Sequence, residues 1–132
     1  MTFRLIELKN VIDPRGNLCV AEHGVDLPFQ VVRMFVVYQV PLVEIRGQHA
    51  HKQCHQLLMC VRGRIKVSGD DGRRRETYML DRPNLGFYMP PMTWGAQFEY
   101  SPDAVLIVLA SHRYDNDDYI RDYDTFLKMV GK

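Results

Sequence analysis

Short apolar stretches separated by turn signals run through most of the chain. Residues 3–8 alternate between apolar and polar side chains, 31–40 is rich in Val, Phe and Tyr, and 105–110 is a continuous aliphatic run. Such stretches are typical of strands with one or both faces buried. The sequence DDG at 70–72 is a hairpin signal. Many short strands with regular turns predict an all-β sandwich or small barrel over about 3–112.

The last part of the chain has a different periodicity. Apolar and aromatic side chains recur there at helical spacing, at Tyr119, Ile120, Tyr123, Phe126, Leu127 and Val130. The residues at 115–118 suit the N-terminal end of a helix, and Lys128 suits its C-terminal end. We therefore predict one amphipathic helix over about 117–130, with its aromatic face packed on the barrel. Residues 1–132 are predicted to form a single domain.

Composition narrows the function classes. The formal net charge of +1 argues against nucleic-acid binding, which needs an excess of basic residues. No apolar run approaches the ~20 residues that span a bilayer, and the N-terminal stretch lacks the apolar region of a signal peptide. The cysteines form no CxxC pair, which indicates a reducing compartment. We expect a cytoplasmic protein that binds neither nucleic acid nor a membrane.

The densest group of candidate catalytic side chains is RGQHAHK at 46–52. In a strand, His49 and His51 lie on the same face because side chains alternate. Three interpretations remain open: a solvated polar face, half of a metal site, or two imidazoles that exchange protons near neutral pH. The metal site is the weakest, since no carboxylate occurs at 55 or 56, where a third ligand would be expected. Arg46 and Lys52 beside the histidines suit an anionic substrate.

Two further residues have competing interpretations. Arg33 lies in an apolar strand, where a buried guanidinium is costly unless it is paired. It either forms an internal ion pair or clamps a phosphate. Trp94 follows Pro90 and Pro91 near the mouth of the predicted barrel, and it either stacks on a base or sugar or caps the core.

Several segments together resemble one enzyme family. They are DPRGNL at 13–18, RGQHAHK at 46–52, DDG at 70–72, VLAS at 108–111 and DYIRDYD at 118–124. In this combination they are similar to the dTDP-sugar 3,4-ketoisomerases, which are small single-domain cupins of nucleotide-sugar biosynthesis. The resemblance covers nearly the whole chain. It implies an all-β cupin, or jelly-roll, barrel with one C-terminal α-helix.

The resemblance also implies a reaction. Members of the family interconvert a dTDP-4-keto-6-deoxyhexose and its 3-keto isomer through an enediol, without a metal or another cofactor. By position, His49 is the base that moves the proton from C3 to C4, and His51 moves the hydroxyl and ketone protons. Family members are homodimers that exchange N-terminal strands, and we expect the same arrangement here.

Substrate-binding residues are expected from the same resemblance. They are Arg15, Arg33, Arg46, Lys52, Tyr38, Trp94 and Gly95. The cations at 33, 46 and 52 are expected to hold the diphosphate, and the one at 15 to lie near the sugar. The aromatic residues at 38 and 94 are expected to line the pocket.

The sequence departs from the family at Gly95, where relatives tend to carry a large polar side chain. The residues at this position and at position 15 are associated in the family with a galacto or gluco configuration at C4. Arg15 favours galacto, but Gly95 supplies no matching signal, so the product epimer stays open. Three other functions also stay open: a nucleotide-sugar epimerase, a metal-dependent cupin enzyme, and a cupin that binds sugar nucleotides without catalysis.

Overall fold

The computed structural model describes residues 2–132 and consists mainly of short β-strands. The first six are β1 (Arg4–Glu7), β2 (Lys9–Val11), β3 (Leu18–Val20), β4 (Arg33–Tyr38), β5 (Arg46–His51) and β6 (Gln56–Arg62). The next six are β7 (Ile65–Asp70), β8 (Arg75–Leu80), β9 (Leu85–Met89), β10 (Trp94–Phe98), β11 (Val105–Ala110) and β12 (Tyr119–Ile120). A 3₁₀-helix, Asn116–Asp118, precedes β12, and an α-helix, α1 (Tyr123–Met129), follows it.

Two five-stranded antiparallel sheets form the barrel. Their strand orders are β1-β9-β6-β11-β4 and β12-β5-β10-β7-β8, while β2 and β3 form a separate hairpin. The aliphatic run of β11 lies between β6 and β4, in the interior of the first sheet. The turn at 70–72 joins β7 to β8, as its sequence predicts. The all-β barrel expected from the strand pattern is therefore confirmed.

Apolar side chains form three layers. The central layer lies between the two sheets and includes Leu58, Val67, Phe87 and Leu106. A second cluster lies on the outer face of the first sheet, beneath segment 21–29. A third lies on the outer face of the second sheet, where Ala50, Ile120 and Phe126 are buried together under α1. Each sheet therefore has both faces covered over part of its area, which agrees with the continuous apolar character of strands such as β6.

The helix is shorter than its periodicity predicts. It begins at Tyr123 rather than near 117, because the Asp122 side chain caps it by accepting the backbone N–H of Thr125 at 3.0 Å. The preceding residues Tyr119 and Ile120 form β12, which pairs with β5. The predicted bounds of about 117–130 are therefore wrong for one continuous helix, because a 3₁₀-helix, Asn116–Asp118, and the strand Tyr119–Ile120 precede α1. No helix in the described part of the chain is long and apolar enough to cross a membrane.

We predict that Phe126→Ala destabilises the protein strongly. Phe126 is fully buried between α1 and the sheet, and removing a buried phenyl ring costs about 3–5 kcal/mol. Met129→Ala on the same helix is the matched control, because Met129 is 49% exposed. Urea denaturation followed by circular dichroism measures both. Equal losses of unfolding free energy in the two variants would contradict the buried position of Phe126.

Candidate active site

A β-bulge positions the first histidine. Gly47 and Gln48 have positive φ values of 82° and 57°, in the middle of β5. The pairing with β10 shifts at this point, so that Gly95 lies opposite His49 and Ala96 opposite Gly47. A bulge re-aims the side chain that follows it. Nδ1 of His49 lies 3.1 Å from the carbonyl oxygen of Gly47, which fixes the imidazole against the bulged backbone.

His49 and His51 lie on the same face, as the strand period predicts. Their ring centroids are 5.0 Å apart, and the ring planes are nearly perpendicular. Tyr119 of β12 pairs with His51 and packs its ring on both imidazoles, with centroid distances of 4.9 Å to His49 and 4.3 Å to His51. The two imidazoles are thus held in a fixed mutual orientation.

The second histidine has a carboxylate partner. Nδ1 of His51 lies 2.9 Å from Oδ2 of Asp118. The Gly47 carbonyl and the Asp118 carboxylate can only accept hydrogen bonds. In each neutral imidazole the proton is therefore on Nδ1. Nε2 is then the basic atom of each ring. In His51 this atom is buried and has no hydrogen-bond partner among the described residues.

The surroundings keep both imidazoles neutral. Burial lowers the pKa of His49 to about 4, and the charges of His51 and Arg121 add to the effect. Burial also lowers the pKa of His51, and Arg33 contributes, but the hydrogen bond and charge of Asp118 act in the opposite direction. His49 is therefore a base that stays unprotonated well below neutral pH. His51 differs from His49, because the negative charge of Asp118 stabilises the protonated form of His51.

Arg33 has no ion-pair partner in residues 2–132. Its guanidinium lies over the rings of Phe35 and Tyr114, at 5.4 and 5.8 Å from their centroids. Its Nε is buried without a hydrogen bond. The internal ion pair considered from the sequence is therefore not formed. A cation held by aromatic rings keeps its hydrogen-bond donors available for an anion.

A cavity beside His49 and an open groove share lining residues of β4 and β5. A cavity of about 140 Å³ between the sheets is lined by His49, Gln56, Gln97 and Tyr119, together with apolar residues of β4, β6 and β11. An open groove of about 680 Å³ follows 36–47 on the outside. Arg46 lines both spaces. Pockets for whole small ligands measure about 300–1,000 Å³, so the inner cavity has room for only part of a large ligand.

The remaining predicted site residues divide between the groove and other surfaces. Tyr38 lines the open groove, and Lys52 is exposed beside the end of β12. Trp94 does not reach the cavity, because strand alternation turns it to the outer face, where it packs on Tyr123 and Phe126. This position agrees with the interpretation of Trp94 as a residue that caps the core.

Arg15 and Gly95 occupy opposite extremes of exposure. The Arg15 side chain is 90% exposed and pairs with Asp13 in its own turn. Gly95 is buried and lines a small cleft with His49 and His51. A Cβ added to Gly95 would lie 2.6 Å from Sδ of Met89. Met89 therefore fills the space that a side chain at position 95 would need.

Three side chains lie close enough together to hold a metal ion. Ligand atoms of His51, Cys54 and Asp118 lie within 4.8 Å of one another. The set is already joined internally, because Asp118 accepts hydrogen bonds from Nδ1 of His51 and from the backbone N–H of Cys54. A bound ion would have to break these contacts. The cluster is better described as a hydrogen-bonded support for the imidazole.

Sequence reasoning missed Asp118, Tyr119 and Arg121 as site residues. All three belong to the segment DYIRDYD. The helical interpretation of this segment concealed them, since it would have placed consecutive residues on different helix faces. The apolar residues of this segment fit either a helix or a strand. The signal that could have identified the three site residues was the resemblance of the segment itself to the family.

A comparison with known protein families identifies the family of this chain. The family model described as "FdtA: WxcM-like, C-terminal" matches residues 1–131. The chain belongs to the FdtA family. A relative from Aneurinibacillus thermoaerophilus, "TDP-4-oxo-6-deoxy-alpha-D-glucose-3,4-oxoisomerase", is 39% identical over 132 residues, which cover 100% of this chain and 95% of that protein.

Solved structures agree with membership of the FdtA family. A 3,4-ketoisomerase from Helicobacter canadensis has a TM-score of 0.93 and 35% identity, with 100% of this chain and 99% of that chain covered. A mutant of the 3,4-ketoisomerase QdtA from Thermoanaerobacterium thermosaccharolyticum, in complex with TDP-4-keto-6-deoxyglucose, has a TM-score of 0.92 and 33% identity, with coverages of 98% and 94%. The resemblance to the 3,4-ketoisomerases and the expected cupin fold are confirmed.

We predict that His49 titrates near pH 4 in the folded protein. The ordinary histidine pKa is about 6.5, so the unfolded chain binds more protons between these values. The His49 contribution to stability is therefore complete above about pH 6.5 and is lost as the pH falls toward 4. A proton NMR titration, assigned with His49→Asn, gives the midpoint. Urea denaturation across the same pH range gives the stability, and a midpoint at or above 6.5 would contradict the burial effect.

Proposed function

We propose that this chain interconverts a TDP-linked 4-keto-6-deoxyhexose and its 3-keto isomer. The proposal rests chiefly on one observation: the half-buried His49 and the buried His51 lie on one face of β5 and line the same cleft, each with Nδ1 engaged, and His49 also lines the inner cavity. The 3,4-oxoisomerase name of the Aneurinibacillus relative supports this reaction, since that relative is 39% identical to the chain over 132 residues.

The reaction requires two proton movements. One proton moves from C3 to C4, and another moves from the C3 hydroxyl to the C4 oxygen, with an enediol between the two ketones. His49 removes the C3 proton and returns it to C4, because it lines the cavity proposed for the sugar and is unprotonated near neutral pH. His51 moves the oxygen proton, because Asp118 stabilises its protonated form. Electrons are only redistributed within the sugar, so the scheme needs no cofactor.

The two spaces fit the two halves of the substrate. The deoxysugar occupies the inner cavity beside His49, and the nucleotide lies in the open groove. Arg46 lines both spaces and so holds the diphosphate between them. Arg33, whose Nε is buried without a hydrogen bond, is the second cation proposed for the diphosphate. Lys52, on the surface beside the end of β12, is the third.

The active form is proposed to be a cytoplasmic homodimer with exchanged N-terminal strands. Its support is the apolar surface of the β2–β3 hairpin, where Val11, Ile12 and Leu18 are 42%, 78% and 56% exposed. The edge strand β4 also exposes Met34 at 58%. Such a surface is covered when a second copy binds. An exchange would carry Arg15 toward the other subunit. The three cysteines are all free, which supports a reducing location.

We predict that His49→Asn folds, binds substrate and loses isomerisation. The wild-type protein, incubated in deuterated water with TDP-4-keto-6-deoxyglucose, should form a 3-keto product detected by proton NMR. Its coupling constants identify the C4 epimer. The variant lacks the base at C3, so its rate should fall by about 10²–10⁴-fold. His23→Asn, on an exposed turn, is the matched control and should retain activity.

The same assay distinguishes the other functions. Activity that survives prolonged treatment with a chelator supports the metal-free scheme, while loss of activity and its recovery with zinc or iron would support a metal-dependent enzyme. Deuterium at C5 would indicate an epimerase. Tight binding of TDP without any change in the sugar spectrum would indicate a binding protein.

We predict that Ile12→Asp weakens the dimer. A carboxylate at this exposed apolar position would have to be desolvated in the interface, and the dissociation constant should rise by at least about tenfold, or about 1.4 kcal/mol. Met129→Asp is the control, because Met129 is exposed on α1, away from the hairpin. Sedimentation equilibrium measures both variants. A monomeric wild-type protein, or equal dissociation constants in wild type and Ile12→Asp, would contradict the proposed interface.

A further inference from the structure

Asp118 is held in place by the chain that follows β5. Its Oδ1 accepts the backbone N–H of Gln53 at 2.7 Å, and its Oδ2 accepts that of Cys54 at 3.3 Å. Oδ2 also faces Nδ1 of His51 at 2.9 Å. The Asp118 side chain is only 11% exposed, and that of His51 is 7% exposed. The carboxylate is therefore anchored independently of the imidazole that it contacts.

We propose that Asp118 is a positioning residue that keeps the proton of neutral His51 on Nδ1, so that Nε2 is the atom that exchanges protons with the substrate oxygens. The proposal rests on the proposed isomerase function. A neutral imidazole has one donor and one acceptor nitrogen. A carboxylate only accepts, so the partner of Asp118 must be the donor. Tyr119, whose ring packs on His51 at 4.3 Å, holds the imidazole plane.

The charges around His51 make this carboxylate necessary. Arg33 approaches from β4, and Arg121 from the end of β12, and both disfavour a protonated imidazole. His49 approaches from β5, with its ring centroid at 5.0 Å. Asp118 is the acidic group that faces His51 among the described residues. Of the acidic side chains in residues 2–132, it is the one that offsets the positive charge that His51 carries during proton transfer.

The proton transfer balances without any other reactant. Nε2 of neutral His51 accepts the proton of the C3 hydroxyl, and the resulting imidazolium is stabilised by Asp118. The same proton then passes from Nε2 to the C4 oxygen, which becomes the new hydroxyl. The imidazole returns to its starting state with its other proton still on Nδ1. Asp118 neither gains nor loses a proton.

Asp118→Asn tests the role of the carboxylate. The side-chain amide keeps the shape and the oxygen that accepts the N–H of Gln53, but an NH₂ group replaces Oδ2. It therefore favours the other tautomer of His51 and no longer accepts the backbone N–H of Cys54. We expect kcat to fall by about 10²–10⁴-fold while KM stays near its wild-type value. Asp117→Asn is the matched control, because Asp117 is the exposed neighbour in the same turn. A wild-type kcat in Asp118→Asn would overturn the proposal.

A second measurement can be made first on the wild-type protein without substrate. Nitrogen-15 NMR of the imidazole rings reports which nitrogen of His51 carries the proton in the wild-type protein. A protonated Nδ1 is expected, with the proton moved to Nε2 in Asp118→Asn. A wild-type signal from protonated Nε2 would overturn the proposal even if the variant failed to fold. An inactive wild-type protein with protonated Nδ1 would instead remove the proposed isomerase function and leave the tautomer assignment intact.

Discussion

The alternation of side chains along β5 controls both the site and the packing of the C-terminal segment. His49 and His51 face the space between the sheets, and Ala50 faces outward. Since Ala50 is small and fully buried, Ile120 and Phe126 can approach the outer face of the strand closely. The pairing that brings Ile120 beside Ala50 also brings Tyr119 beside His51. Packing on one face of β5 thus fixes the orientation of the imidazoles on the other.

The hydrogen-bond partners of the two histidines explain why they differ. Burial disfavours the charged form of each ring. Only His51 has a carboxylate within hydrogen-bond distance, whereas His49 has a backbone carbonyl. An identical pair of side chains in one strand therefore acquires two different proton affinities from its neighbours. In the proposed reaction His49 acts on carbon and His51 on oxygen, and only His51 has a carboxylate that stabilises its protonated form.

The sequence predicted the elements that have one consistent periodicity. The barrel strands and the shared face of the HxH pair follow from alternation alone, and the turn at 70–72 from its composition. The segment 117–122 could not be assigned in the same way, because Tyr119 and Ile120 suit a helix and a strand equally well. Their pairing with β5 depends on a contact nearly 70 positions away along the chain. Asp118 was missed for the same reason, since no local pattern connects it to His51.

The contact between Gly95 and Met89 has a consequence for how such a site can change over generations. The two residues lie on neighbouring elements beside His49, and the thioether occupies the volume that any larger residue at 95 would claim. The thioether lies at the far end of a flexible side chain, so a larger residue at 95 can be accommodated when Met89 adopts another rotamer. The shape of this cleft therefore depends on positions 89 and 95 together, and a change at one position during divergence alters the room left at the other.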